Sequence, residues 1–180
     1  MSTNFSVHLY TSKDEFQHML QVCAKASRLS HNSKGDAGGA RDIELLSRLV
    51  RAGDEHSKSL RGITLLVAID APRYFWHEFV TYRMGCEQLG SESTMHGQEH
   101  RFNDMVVISE PEKTDDICCN KANIPEGLMQ ERIFSINYQA LRHIYKQRRH
   151  HKLREWQWFC DWIENEVFCS EYLITIGLNT

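Results

Sequence analysis

One mixed domain of the α/β (α+β) class is expected over residues 1–180, on three observations. Short apolar runs of strand character stand at 5–10, 63–69 and 105–109, and segments between and after them repeat their apolar residues every three or four positions. Of 180 residues 41% are apolar and only three are proline, enough chain for one core and too few breakers for disorder. No internal repeat or low-complexity tract divides the chain.

FSVHLY (5–10) alternates like a first strand. Thr11 or Ser12 then caps a helix through DEFQHMLQVCAKA, with Glu15 at capping-box distance from Ser12. The glycine-rich stretch around SHNSKGDAGGA (28–40) reads as a mobile loop. DIELLSRLVRAG (42–53) has Ile43, Leu46, Leu49 and Val50 at helical spacing, with Gly53 as terminator. ITLLVAI (63–69) is a buried strand, Pro72 suits a first helical turn, and RYFWHEFVTYRM (73–84) continues as an aromatic helix stopped by Gly85. MVVIS (105–109) is a further strand, followed by a loop to Pro125. From Glu126 to Arg149, Met129, Ile133, Ile136, Ala140 and Ile144 step by three or four, predicting one long amphipathic helix. A helix rich in Trp156, Trp158, Phe159 and Trp162 completes the core.

A formal charge of −3 supplies no general attraction to nucleic acid or anionic membrane, so anion binding has to come from locally placed cations. No run approaches the roughly 20 apolar residues of a membrane helix, and MSTNFSVHLYTSKDEF lacks signal-peptide order; a soluble, cytoplasmic protein is expected. The six cysteines form no CxxC pair and read as reduced and mostly structural.

Asn137 and Arg148 are eleven residues apart, three turns plus roughly 20°, so on one long helix they share a face that a ligand could follow. The alternative is that Asn137 bonds locally and Arg148 joins the solvated cluster Lys146, Arg148, Arg149, Lys152 and Arg154. His96 and His100 lie four apart, but Gly97 weakens a helix there and no HExxH frame exists, so no metal is expected. In TYRMGCEQLGSESTMH (81–96), Arg83 either faces the end of its helix or serves a ligand loop in which Gly85 and Gly90 allow unusual backbone angles and Ser91, Ser93 and Thr94 offer hydroxyls.

Together these segments resemble the flavin-dependent thymidylate synthases, the ThyX family, over residues 40–163. That family carries an arginine-histidine-arginine triplet, seven residues and a serine; here Thr81, Tyr82 and Arg83 are followed after seven residues by Ser91. IELLSRLVRAGDEHSKSL, ITLLVAIDAP, WHEF and IPEGLMQERIFSINYQALRHIYKQRR resemble the family's flanking segments. The resemblance implies a central, mostly antiparallel sheet with long flanking helices, assembled as a homotetramer with pockets between subunits. It places His56, Tyr82, Arg83, Asn137 and Gln139 at the flavin, and Glu78, Arg83, Ser91, Ser93, Lys121 and Arg148 at the nucleotide, with Arg148 as the arginine that polarises the pyrimidine of dUMP. The form TYRMG…SESTMH also resembles bacteriophage-encoded ThyX-like proteins, which implies a host cytoplasm.

Thr81, Tyr82 and Gln139 replace charged or differently shaped family residues, and Leu89 and Ser93 replace a glutamate and an arginine. Each lost charged hydrogen-bonding partner typically costs about 1.5–3 kcal/mol, so altered FAD and dUMP binding is expected. Three readings follow: a nucleotide-binding protein with a retuned pocket that sequesters a nucleotide-derived signal; an enzyme that methylates or hydroxymethylates dUMP or a related pyrimidine nucleotide with FAD, NADPH and methylenetetrahydrofolate; or an oligomer whose pocket takes no small molecule.

Overall fold

Among the described residues four antiparallel strands form one sheet: β1 (Ser6–Leu9), β2 (Thr64–Pro72), β3 (Cys86–Ser91) and β4 (Met129–Asn137), in the spatial order β1-β2-β4-β3. The computed structural model describes residues 5–29, 38–95, 115, 118 and 122–178. β2 and β4 pair over nine positions, from Thr64 opposite Asn137 to Pro72 opposite Met129. Along β2, Leu65, Val67 and Ile69 are fully buried under the helices while Leu66 is 44% exposed, the alternation of a sheet with one covered face.

The helices that lie wholly among the described residues are α1 (Lys13–Leu29), α2 (Ala40–Ala52), α3 (Arg73–Phe79), α4 (Tyr138–Arg148), α5 (Arg154–Glu166) and α6 (Ser170–Leu173), with a 3-10 turn at Lys58–Gly62. The expected capping box forms: the Ser12 amide donates to Glu15 Oε2 (2.7 Å) and the Glu15 amide to Ser12 Oγ (3.3 Å). Gly53 ends α2 at φ 128°. Arg28 closes on Asp42, which is 1% exposed, at 2.6 Å and ties the end of α1 to α2. Phe75, Trp76, Phe79, Phe134, Trp156 and Phe159 fill the space between sheet and helices, with Phe79 stacked on Trp156 at 5.9 Å and 13°. Among the described residues no helix is long and apolar enough to cross a membrane.

Three expectations are corrected. The helix expected over 126–149 is half strand: Met129–Asn137 forms β4, and only Tyr138–Arg148 is helical. The apolar steps through Met129, Ile133 and Ile136 mimic a helix, but Phe134 and Ile136 also alternate inward, and pairing with the buried strand β2 decides the outcome. Asn137 and Arg148 therefore do not share one helix face; Asn137 is the N-cap of α4 and accepts from the Ala140 amide at 2.9 Å. The aromatic helix stops at Phe79, and the stretch read as a ligand loop contains β3, with a bulge between Gln88 and Gly90. The expected strand 105–109, residues 30–37 of the expected loop, His96, His100 and Lys121 lie outside the described residues.

Gly85 is held by two requirements at once. Its φ is 77°, and a Cβ there would lie 2.1 Å from Asn137 Nδ2. Gly85→Ala is expected to cost at least about 2 kcal/mol in urea melts, because strain and displacement of the α4 cap add. Burial pushes the Cys86 and Cys160 thiols up to about 12, with neighbouring Glu87 and Asp161 adding to it. Both should stay protonated and unreactive to a thiol reagent at pH 8 while exposed Cys118 is modified, read by mass spectrometry of the folded protein.

Candidate functional site

The short helix α3 ends in a tight turn that the sequence enforces locally. Thr81 Oγ1 donates back to the Glu78 carbonyl (2.7 Å), and the Arg83 amide donates to the Thr81 carbonyl (3.1 Å). Gly85 then swings the chain into β3, and its carbonyl accepts from the Asn137 amide at 2.8 Å. The turn is thereby fastened against the junction of β4 and α4.

Between this turn, α4 and the region of the 3-10 turn opens a cleft of about 490 Å³. Thr81, Tyr82, Arg83 and Met84 form one wall, and Gln139, Arg142, His143 and Lys146 on α4 form the other. Arg61 and Asp54 close a third side, and Arg61 Nε donates to Gln139 Oε1 at 2.5 Å. Four cations, Arg61, Arg83, Arg142 and Lys146, thus face one carboxylate. Arg142 is anchored, donating from Nη1 to the carbonyls of Ile174 (2.5 Å) and Ile176 (2.9 Å). Burial lowers its pKa, and the charge of Asp54 opposes that shift.

Behind Tyr82 lies a second constellation, centred on Arg148. Its guanidinium sits 4.7 Å from the ring centre of Trp156 and 5.6 Å from that of Tyr82. Nη1 meets Glu78 Oε2 at 2.5 Å and Nε donates to the Tyr82 hydroxyl at 2.7 Å. Trp156 Nε1 donates to the same Glu78 oxygen (2.9 Å), and His151 Nε2 stands 3.6 Å from it. The Tyr82 hydroxyl donates in turn to Gln147 Oε1 (2.9 Å). Arg148 is 19% exposed and Glu78 35%, so this pair is partly withdrawn from water, where a charge-assisted contact strengthens.

No family model and no curated protein matches the chain in sequence. Solved structures match its fold. Thymidylate synthase X from Helicobacter pylori, in a structure with FAD and dUMP, superposes with a TM-score of 0.76 at 19% identity over 97% of this chain and 100% of that one. The chain has the ThyX fold. A further H. pylori ThyX complex with FAD and dUMP gives 0.70 at 19% identity over 94% and 97% of the two chains. The UMP/dUMP methylase PolB from Streptomyces cacaoi, bound with 5-Br dUMP, gives 0.64 at 14% identity over 90% and 89%.

Within this ThyX fold, Tyr82, Arg83, Asn137 and Gln139 come together in the cleft. Arg148 and Glu78 do not line it; they pair behind Tyr82, which joins the two constellations through its hydroxyl. His56 is exposed on the turn after α2, with its amide on the Gly53 carbonyl (3.1 Å) and its ring 3.6 Å from Glu55. Ser91 ends β3, and Ser93 beyond it accepts from the Met95 amide at 3.1 Å; neither lines the cleft. Arg61, Arg142, His143 and Asp54 were missed by sequence reasoning, and Lys146 was read as part of the basic cluster around Arg148. The spacing of Gln139, Arg142, His143 and Lys146 is a polar stripe of a helix starting at 138, a signal hidden while the helix was extended back to 126. Arg61 sits in a short turn that no motif marks.

Glu78→Gln keeps an acceptor for Trp156 and removes the charge opposite Arg148. Stability should fall by about 1–2 kcal/mol in urea melts, and an unchanged midpoint would show that the ion pair contributes nothing.

Proposed function

We propose that this chain binds a nucleotide in the cleft between the α3–β3 turn and α4, and that it holds a nucleotide-derived ligand without transforming it. The observation that carries this reading is the concentration of four cations against one carboxylate in a chain whose formal charge is −3. Guanidinium groups on separate elements suit phosphate oxygens, which accept paired hydrogen bonds. The fold supports the ligand class: the H. pylori and S. cacaoi proteins of this fold were solved with dUMP, FAD or a brominated pyrimidine nucleotide.

Sequestration is supported by Arg148. The arginine that the ThyX resemblance assigns to polarising the pyrimidine is occupied by Glu78, Tyr82 and Trp156. For FAD, Arg61, Arg83, Arg142 and Lys146 offer donors that fit the pyrophosphate, and bound FAD would supply redox chemistry. Its ring system would meet neutral Thr81, Tyr82 and Gln139 in place of charged family contacts, and Gln139 Oε1 is already engaged by Arg61. A homotetramer with a second copy completing each pocket belongs to the same reading.

Calorimetric titration with dUMP and with FAD tests it. Binding of dUMP is expected, weakened about tenfold or more in Arg83→Ala. Small molecules released from protein purified from cells should include a nucleotide and no stoichiometric flavin. A yellow protein that oxidises NADPH when a pyrimidine nucleotide is added would replace sequestration with flavin-dependent methylation or hydroxymethylation. Absence of nucleotide binding in every form would end the reading.

A further inference from the structure

Hydrogen bonds whose directions are all determined join Arg148 to the cleft beside α4. A guanidinium has donors and no acceptor, so the bond from Arg148 Nε to the Tyr82 hydroxyl (2.7 Å) runs one way only. The hydroxyl, accepting there, sends its own proton to Gln147 Oε1 at 2.9 Å. That contact orients the Gln147 side-chain amide, whose nitrogen faces His143 Nε2 at 3.1 Å. An amide nitrogen only donates, so His143 Nε2 has to accept. The ring is then neutral and carries its proton on Nδ1.

The opposite orientation of Gln147 fails on the same count. It would aim an amide N–H at a hydroxyl that already accepts from Arg148, and leave the hydroxyl proton with no acceptor among these groups. Arg148 is kept in place at its other end, where Nη1 meets Glu78 Oε2 at 2.5 Å and the guanidinium lies 4.7 Å from the ring centre of Trp156. His143 and Gln147 stand four residues apart on α4, the spacing at which helical side chains meet. The Tyr82 ring packs edge-on to the imidazole at 6.0 Å and 73°, which fixes its plane as well. Both Tyr82 and His143 line the cleft.

We propose that Arg148 is a positioning residue: acting through Tyr82 and Gln147, it holds His143 in the Nδ1–H form, as an uncharged donor to an oxygen atom of the ligand in the cleft. The cleft already gathers Arg61, Arg83, Arg142 and Lys146. A further charge would add to their mutual repulsion, whereas a neutral N–H adds a hydrogen bond of fixed sense. Such a donor accepts a carbonyl or phosphate oxygen as partner and rejects an amino group at the same spot. That the oxygen belongs to a nucleotide rests on the function proposed above; the tautomer of His143 does not.

Long-range proton–nitrogen NMR spectra of the isotope-labelled full chain read the ring proton directly, at about pH 8, above the ordinary titration range of imidazole. The wild type should show His143 with Nδ1 protonated and Nε2 bare. Gln147→Glu, a change on the exposed side of α4, offers Nε2 an acceptor in place of a donor, so the two signals should exchange. Arg148→Met removes the first donor and Tyr82→Phe cuts the chain, and each should leave a mixture of both forms. Nε2 protonated in the wild type, or an Nδ1–H form unchanged in Gln147→Glu and Arg148→Met, overturns the proposal. Saturating dUMP should then shift the Nδ1 signal and its proton in the wild type. Binding of dUMP by calorimetry with no movement of Nδ1 overturns the donor role. If dUMP does not bind at all, the nucleotide reading falls, and the tautomer stands or falls on the spectra of the unliganded proteins.

Discussion

The nine-position ladder between β2 and β4 is the constraint on which the rest of the structure depends. It fixes Asn137 as the last paired residue opposite Thr64, and that residue starts α4 by capping the Ala140 amide. The same residue receives the α3–β3 turn through the Gly85 carbonyl. One register therefore sets where the helix wall of the cleft begins and where the facing turn must lie. Further along β4, Arg132 stands opposite Ile69 on β2 and Ser91 on β3. A slip by one residue would turn Phe134 and Ile136 out of the core and dismantle the cleft.

Local charge matters more here than total charge. The chain is net negative, yet the charged residues lining the cleft are mostly positive, and those positive side chains come from three separate parts of the fold. A water-filled concavity bounded by protein concentrates such a field. Arg148 illustrates the opposite case. It is drawn into a partly buried arrangement with a carboxylate and two aromatic rings, so its charge is spent within the molecule. Tyr82 sits at the boundary: it lines the cleft, and its hydroxyl accepts from Arg148, so it stands between the cleft cations and the arginine behind them.

What the sequence made legible was local. The Ser12–Glu15 box, the Gly53 terminator and the tryptophan-rich helix each depend on contacts within one element, and each is found as expected. β4 was misread because its strand character comes from a partner some 65 residues away in sequence, while its apolar steps fit a helix equally well. The fold itself was legible through resemblance, since ITLLVAIDAP and the segment around Asn137 carry family features even where the triplet has changed. Tyr82, Arg83, Asn137 and Gln139 were placed in one site by that route. Arg61 and Arg142 were not, and Lys146 was grouped with its basic neighbours in sequence, because ordinary surface cations gain meaning only when folding sets them opposite one another.

The contact between Gly85 and Asn137 has a consequence for how such a pocket changes over time. There is no room for a side chain at 85, and the Asn137 amide group is already packed against that backbone, so this junction tolerates almost no alteration. Arg83 and Gln139 hang from the same rigid frame, and neither side chain takes part in the Gly85–Asn137 contact. Such a frame lets ligand preference drift by single substitutions while the architecture stays put, so a lineage can exchange one guest for another without ever passing through an unfolded ancestor.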